Sequence, residues 1–191
     1  MWRNGVVHIA EVRAVSAAVA PIVLVVTLER IVCEQVFANN GATRMTMNSI
    51  GIPEGFEPHF RKSPFTDPWE PLYSKRTDKA VIIGLRLAKP HTNARGNVHG
   101  GLISALADNA MGYSCGQAIG WASSLATITL AVDFIGIAQI GQWLTVDSEV
   151  IKTGRTICFA QSLIKADDSV IARANATFRV VPKHEGDTHP R

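Results

Sequence analysis

The chain has 191 residues, 47% hydrophobic and 18% charged, which is the balance of a soluble globular protein able to bury one substantial core. A formal net charge of +3, dispersed along the sequence and without a basic helix or interleaved aromatic stripe, gives no argument for a nucleic-acid partner. The cysteines Cys33, Cys115 and Cys158 are odd in number, far apart and without a CxxC, so neither a disulfide framework nor a zinc site is indicated, and a reducing, cytoplasmic compartment fits.

In chain order, Ala14 to Leu28 is an uncharged run broken by Pro21 and followed by Glu29 and Arg30, short for a membrane span. Glu11 precedes it and no small-residue cleavage site follows, which argues against a signal peptide. Residues 1–45 are expected to be a non-essential extension, 46–182 a single folded domain and 183–191 a polar tail. Pro53, Pro58, Pro64, Pro68 and Pro71 exclude one regular helix over 51–73, so this stretch is expected to drape the domain edge. Its aromatics Phe56, Phe60, Phe65, Trp69 and Tyr73 are expected to cap the core, with covering of a substrate channel as the alternative. Val81, Ile83, Leu85 and Leu87 then form one face of a strand.

From Gly96 to Val132 the only formally charged residue is Asp108, inside an apolar run opened by His99, Gly100 and Gly101. The apolar residues Leu102, Ile103, Leu106, Met111, Tyr113 and Ile119 do not keep to a narrow stripe, which predicts a helix enclosed on most sides. Gly101, Ala105, Asp108, Gly112 and Gly116 recur at spacings of three and four, placing the carboxylate on a face of very small residues. A lone carboxylate there has either a structural hydrogen bond or chemistry to perform. Gly100 and Gly101 favour the second reading, because unpaired N–H groups at a helix start attract developing negative charge and can serve as an oxyanion hole. However, Asp108 lies eight residues beyond Gly100, about 12 Å along a helix, too far to serve the same carbonyl carbon. Both can act on one substrate only if they come from different subunits, so an obligate dimer is expected.

Beyond the helix, Ile128, Leu130, Val132 and Phe134 alternate with Thr127, Thr129, Ala131 and Asp133, and Leu144, Val146, Ser148 and Val150 with Thr145, Asp147, Glu149 and Ile151. A turn at Lys152 to Arg155 leads to a β-branched run over 156–165. Asp167, Asp168 and Ser169 form a second turn before Ala172, Ala174, Ala176, Phe178 and Val180. The order is strand, helix, then four strands, an α+β fold with an antiparallel sheet around one long helix.

The segment HTNARGNVHGGLISALADNAMG, residues 91–112, resembles the signature of hotdog-fold acyl-CoA thioesterases of the PaaI-like branch, a likeness that extends over roughly residues 60–182. The resemblance implies a hotdog fold and hydrolysis of an acyl- or aryl-CoA to free acid and coenzyme A, without metal or other cofactor. It assigns Asp108 to activating water or attacking the thioester, the Gly100 N–H to polarising the carbonyl, Asn93 to positioning water or substrate, and His99 to shaping the loop. A strand hydroxyl falls on Thr127, where Ser is common. It further implies a homodimer with active sites at the subunit interface, with a dimer of dimers as a further step. Met45 or Met47 would begin a chain of the family's usual size.

A CoA substrate needs positive charge for its phosphates, and Lys152 and Arg155 in the KTGR turn are candidates, with Arg95 a third and Gly101 a backbone contact. His91 and His99 bracket the glycine loop, but no third metal ligand is evident. The loop has neither GxGxxG nor GxxxxGK[ST], so it is weak evidence for a nucleotide-binding loop. Two alternatives stand beside hydrolysis: an acyl-CoA binding or sensing module, and a hotdog hydratase or dehydratase, for which the loop lacks the expected prolines.

Overall fold

The computed structural model describes residues 51–182. The extension 1–45 and the tail 183–191 lie outside the described residues. One antiparallel sheet is built from β1 (Glu57–Pro58), β2 (Tyr73–Arg76), β3 (Val81–Arg86), β4 (Ser124–Phe134), β5 (Trp143–Thr153), β6 (Ile157–Ala166) and β7 (Ser169–Val181), in the order β1-β2-β3-β5-β6-β7-β4. It curves around α1 (Gly100–Ala118), and the chain crosses from β3 through this helix to β4 at the far edge.

The inner face explains why the helix fits. Ala160, Ala172, Ala174 and Ala176 present short side chains that let α1 approach, while Leu102, Leu106 and Met111 fill the space from the helix side. Each such Leu or Met, once buried, stabilises the fold by about 1.5–3 kcal/mol. Two sets of buried hydroxyls are paired, while Trp143 Nε1 and Thr145 Oγ1 are buried without a partner. Ser148 and Ser162 hydrogen-bond each other at 2.7 Å, and Ser114 Oγ accepts from the Val81 N–H at 3.0 Å, tying the helix to β3.

Three expectations change. Two short strands, β1 and β2, precede β3; Pro58 is tolerated because β1 is an edge. The helix is enclosed on its sheet side only: Gly101 is exposed, and Ser104, Ala105, Asp108, Asn109, Gly112 and Tyr113 are half-buried. The alternation expected through β4 is interrupted by a register shift between Thr127 and Thr129, so Leu125 before it and Val132 after it both pack on the core. Ile128, Leu130 and Phe134 remain 53%, 36% and 55% exposed along this edge.

The proline-rich segment does drape the edge. Phe56 and Tyr73 pack on Trp143, with ring centroids at 5.3 and 5.7 Å, over Gly84 of β3. Phe60 instead lies against α1, its ring 5.5 Å from Tyr113. Phe65 is 66% exposed and caps nothing in the core. Cys115 and Cys158, distant in sequence, lie buried in the core as free thiols, and burial, with the Cys158 thiol adding, pushes Cys115 up to about 12. Cys33 lies outside the described residues.

Candidate active site

Asp108 is carried on the open flank of α1, and the Thr127 hydroxyl donates to its Oδ1 at 2.8 Å. The β4 register shift puts Thr127 in position: a bulge turns the side chains of a strand, and here Thr127 reaches the helix from the same strand that later sends Phe134 to the helix start. The carboxylate is half-buried, contrary to the enclosure expected from the uncharged sequence around it.

At the other end of the helix, His99 is the N-cap, and its Nδ1 accepts the Gly101 N–H at 2.8 Å. A neutral His99 ring therefore carries its proton on Nε2. The two glycines are thus not equivalent. The Gly101 N–H is occupied by His99, and a Cβ there would lie 2.9 Å from Nδ1. A Cβ on Gly100 would sit 3.2 Å from the Phe134 ring, so packing within the protein also demands small residues here. Of the pair, Gly100 is the better placed to offer its N–H to a ligand.

The loop before the helix is braced by backbone bonds. Asn93 N–H donates to Asn97 O, Val98 N–H to Ala138 O and His99 N–H to His91 O. Asn93 Oδ1 accepts the Arg95 N–H at 2.9 Å, which orients the amide. His91 is buried within the fold: its Nδ1 accepts the Ala88 N–H at 2.9 Å and its Nε2 donates to Trp69 O at 3.2 Å. Both nitrogens are engaged, which removes it as a metal ligand alongside His99. Among the described residues no group of three or more His, Cys, Asp or Glu side chains could hold a metal ion.

The predicted site residues form separate groups within one chain. Asp108 and Thr127 meet; Asn93, Arg95, His99, Gly100 and Gly101 gather at the helix start, where Phe134 ends β4. Lys152 and Arg155 are exposed beside the opposite end of β4, where Val180 N–H donates to Thr156 O and Val181 pairs with Ser124. An eleven-residue strand separates those ends by roughly 35 Å. Lys152, Arg155 and Arg95 therefore do not form one phosphate site within a chain.

A further set escaped the sequence reading. His59, Phe60, Tyr113 and Trp121 form a chain of rings on α1, with centroids at 4.8 Å (His59 to Phe60), 5.3 Å (His59 to Tyr113) and 6.2 Å (Phe60 to Trp121). Burial lowers His59 to about 4, with Glu70 opposing and Arg76 and Arg61 adding to the shift. Burial also raises the Tyr113 phenol, Arg61 opposing and Asp108 adding, so Tyr113 lies within the electrostatic reach of Asp108. The HFR triplet carries no periodic signal, and Tyr113 reads from sequence as one more apolar helix residue.

Comparison with known proteins agrees with this architecture. The family model described as Thioesterase superfamily matches residues 95–173. A Pseudomonas aeruginosa protein named as an esterase, PA0474, is 33% identical over 132 residues, covering 69% of this chain and 98% of its own. Human acyl-coenzyme A thioesterase 13 is 28% identical over 111 residues, 56% of this chain and 74% of that protein. Among solved structures, zebra fish thioesterase superfamily member 2 superposes with a TM-score of 0.58 at 22% identity, over 62% of this chain and 88% of its own. A Streptococcus pneumoniae hypothetical thioesterase, solved with coenzyme A, gives 0.55 at 21% identity, over 61% and 94%. This chain belongs to the thioesterase superfamily and has its hotdog fold.

Proposed function

We propose that this protein hydrolyses an acyl- or aryl-CoA thioester to the carboxylic acid and coenzyme A, at sites shared between two copies of the chain. The observation that carries this reading is the Thr127–Asp108 hydrogen bond, which fixes a half-buried carboxylate on an open helix flank. Asp108 delivers the nucleophile, as base toward water or as the attacking group itself. The thioester carbonyl oxygen gains negative charge and is met by the Gly100 N–H, with Asn93 positioning water or substrate. The C–S bond then breaks and the thiolate takes up a proton; where Asp108 itself attacks, water then hydrolyses the acyl-aspartyl anhydride to release the acid and restore the carboxylate.

The geometry of β4 supports the sharing. It is a long edge strand with exposed Ile128, Leu130 and Phe134, and an unpaired edge of this kind is a template for a second strand. Antiparallel pairing with its own copy about a two-fold axis near mid-strand lays the start of one β4 beside the end of the other. Asp108 and Thr127 of one copy then approach the partner subunit's Gly100, which the 12 Å separation along one helix requires. The same operation brings the Lys152–Arg155 turn beside the partner's glycine loop, where substrate phosphates can be met. A dimer of dimers is a further assembly of the same unit. Residues 46–182 carry the activity, in a cytoplasmic setting that keeps the core thiols reduced; no helix among the described residues is long and apolar enough to cross a membrane.

Free-thiol release from a panel of short, long and aromatic acyl-CoAs tests the reading. Turnover of at least one class is expected. Tight binding by calorimetry without thiol release overturns hydrolysis in favour of an acyl-CoA binding module.

A further inference from the structure

The segment that crosses α1 brings two guanidinium groups onto the chain of rings. Arg76 Cζ stands 4.0 Å from the Phe60 centroid and Arg61 Cζ 5.8 Å from the Tyr113 centroid, on rings that are themselves 5.5 Å apart. Neither arginine forms a salt bridge with a carboxylate among the described residues. Between these rings, His59 is 7% exposed, and its Nδ1 has no hydrogen-bond partner. The floor is completed at a conformational cost. Trp121 adopts φ +57, rare for a bulky residue, and its ring lies where a Cβ on Gly116 would come within 2.6 Å.

We propose that Arg61, Arg76 and His59 form an anion site on an aromatic shelf, suited to an adenine nucleotide phosphate: the guanidiniums bind the phosphate, the His59 ring donates to it, and the purine packs on the ring cluster beside them. Paired arginines provide forked donors for phosphate oxygens, and aromatic faces accept a base by stacking. Glu70 is the acidic group that acts on His59: its Oε2 accepts the Leu72 N–H at 2.8 Å, and its Oε1 is buried without a partner. The two arginines outnumber it at His59, which faces Arg61 and Glu70 from its own segment and its continuation, Arg76 from β2 and Tyr113 from α1.

The nucleotide can be the phosphate end of a bound CoA ester or a free adenine nucleotide acting as an effector. Only the first source rests on the thioesterase reading. The probe is adenosine 3′,5′-bisphosphate, bound to the full chain and followed by calorimetry and by the His59 imidazole resonance. Binding is expected to raise the His59 pKa and to weaken at least tenfold in Arg61→Gln/Arg76→Gln, while Arg61→Lys/Arg76→Lys recovers part of it. If the substrate supplies the nucleotide, the Gln double variant raises KM for acyl-CoA more than tenfold beyond any change for the acyl-pantetheine ester. If the source is a free effector, the bisphosphate alters acyl-pantetheine turnover in the parent protein and loses that effect in the double variant. Equal binding to parent and double variant, with an unmoved His59 titration, overturns the proposal. Arginine-dependent binding in a protein that releases no thiol leaves this site standing and removes the thioesterase instead.

Discussion

Thr127 reaches Asp108 across nineteen residues of sequence, and the bond it makes is the smallest unit on which the proposed chemistry depends. Thr127→Val keeps the shape and removes the donor, leaving Oδ1 free to rotate. Its kcat is expected to fall on the order of tenfold, about 1.4 kcal/mol, while Thr127→Ser stays near the parent. Steady-state kinetics at matched folding checks both. His59 supplies a second prediction, for stability. Its folded-state pKa of about 4 lies below the unfolded value of 6.5, so the unfolded chain binds the extra proton first as pH falls. The stability associated with the neutral ring is complete above pH 6.5, falls between 6.5 and 4, and levels off below 4. The loss is at most about 3 kcal/mol, less where solvent screens the ring. Denaturation midpoints across that range are expected to fall less steeply in His59→Phe than in the parent.

At the scale of elements, β3 and the draped segment depend on one missing side chain. A Cβ on Gly84 would come within 2.5 Å of Trp143 and 2.8 Å of Phe56, so Gly84→Ala must push a fully buried indole outward. Urea denaturation is expected to show a loss of about 1–3 kcal/mol. The elements differ in how much of this the sequence carried. The helix and the strands from β3 onward are legible because alternation in Val146, Ser148 or Ala174 reports a strand buried on one face, and because a glycine pair marks the helix start. β1 and β2 are not legible: two residues ending in Pro58, and four that include Lys75 and Arg76, are too short to show a period. The β4 bulge is also invisible, because the unbroken alternation of threonines and aliphatics reads as a regular strand until pairing with β7 reveals the shift.

For the whole molecule, the sequence pointed to candidate groups but not to their surroundings. Asp108 and Gly100 could be named because their residue types and positions suggest a mechanism, whereas Thr127 and His99 were named through the family resemblance. The open flank around Asp108 could not be foreseen, because an uncharged stretch looks the same whether it meets its own core or another surface. The His59 cluster was hidden for a different reason: it joins a proline-rich segment to a helix and to β2, and no local pattern records such a meeting. The remaining claim belongs to the assembly, since one chain separates its carboxylate from its glycine loop. The decisive measurement is thiol release by an equimolar, co-refolded mixture of Asp108→Asn and Asn93→Ala. Each variant alone is expected to be nearly inactive. Random pairing makes about half the dimers mixed, each with one intact site, so the mixture should recover about a quarter of parental activity. A mixture as inactive as its components would contradict a site shared between two copies.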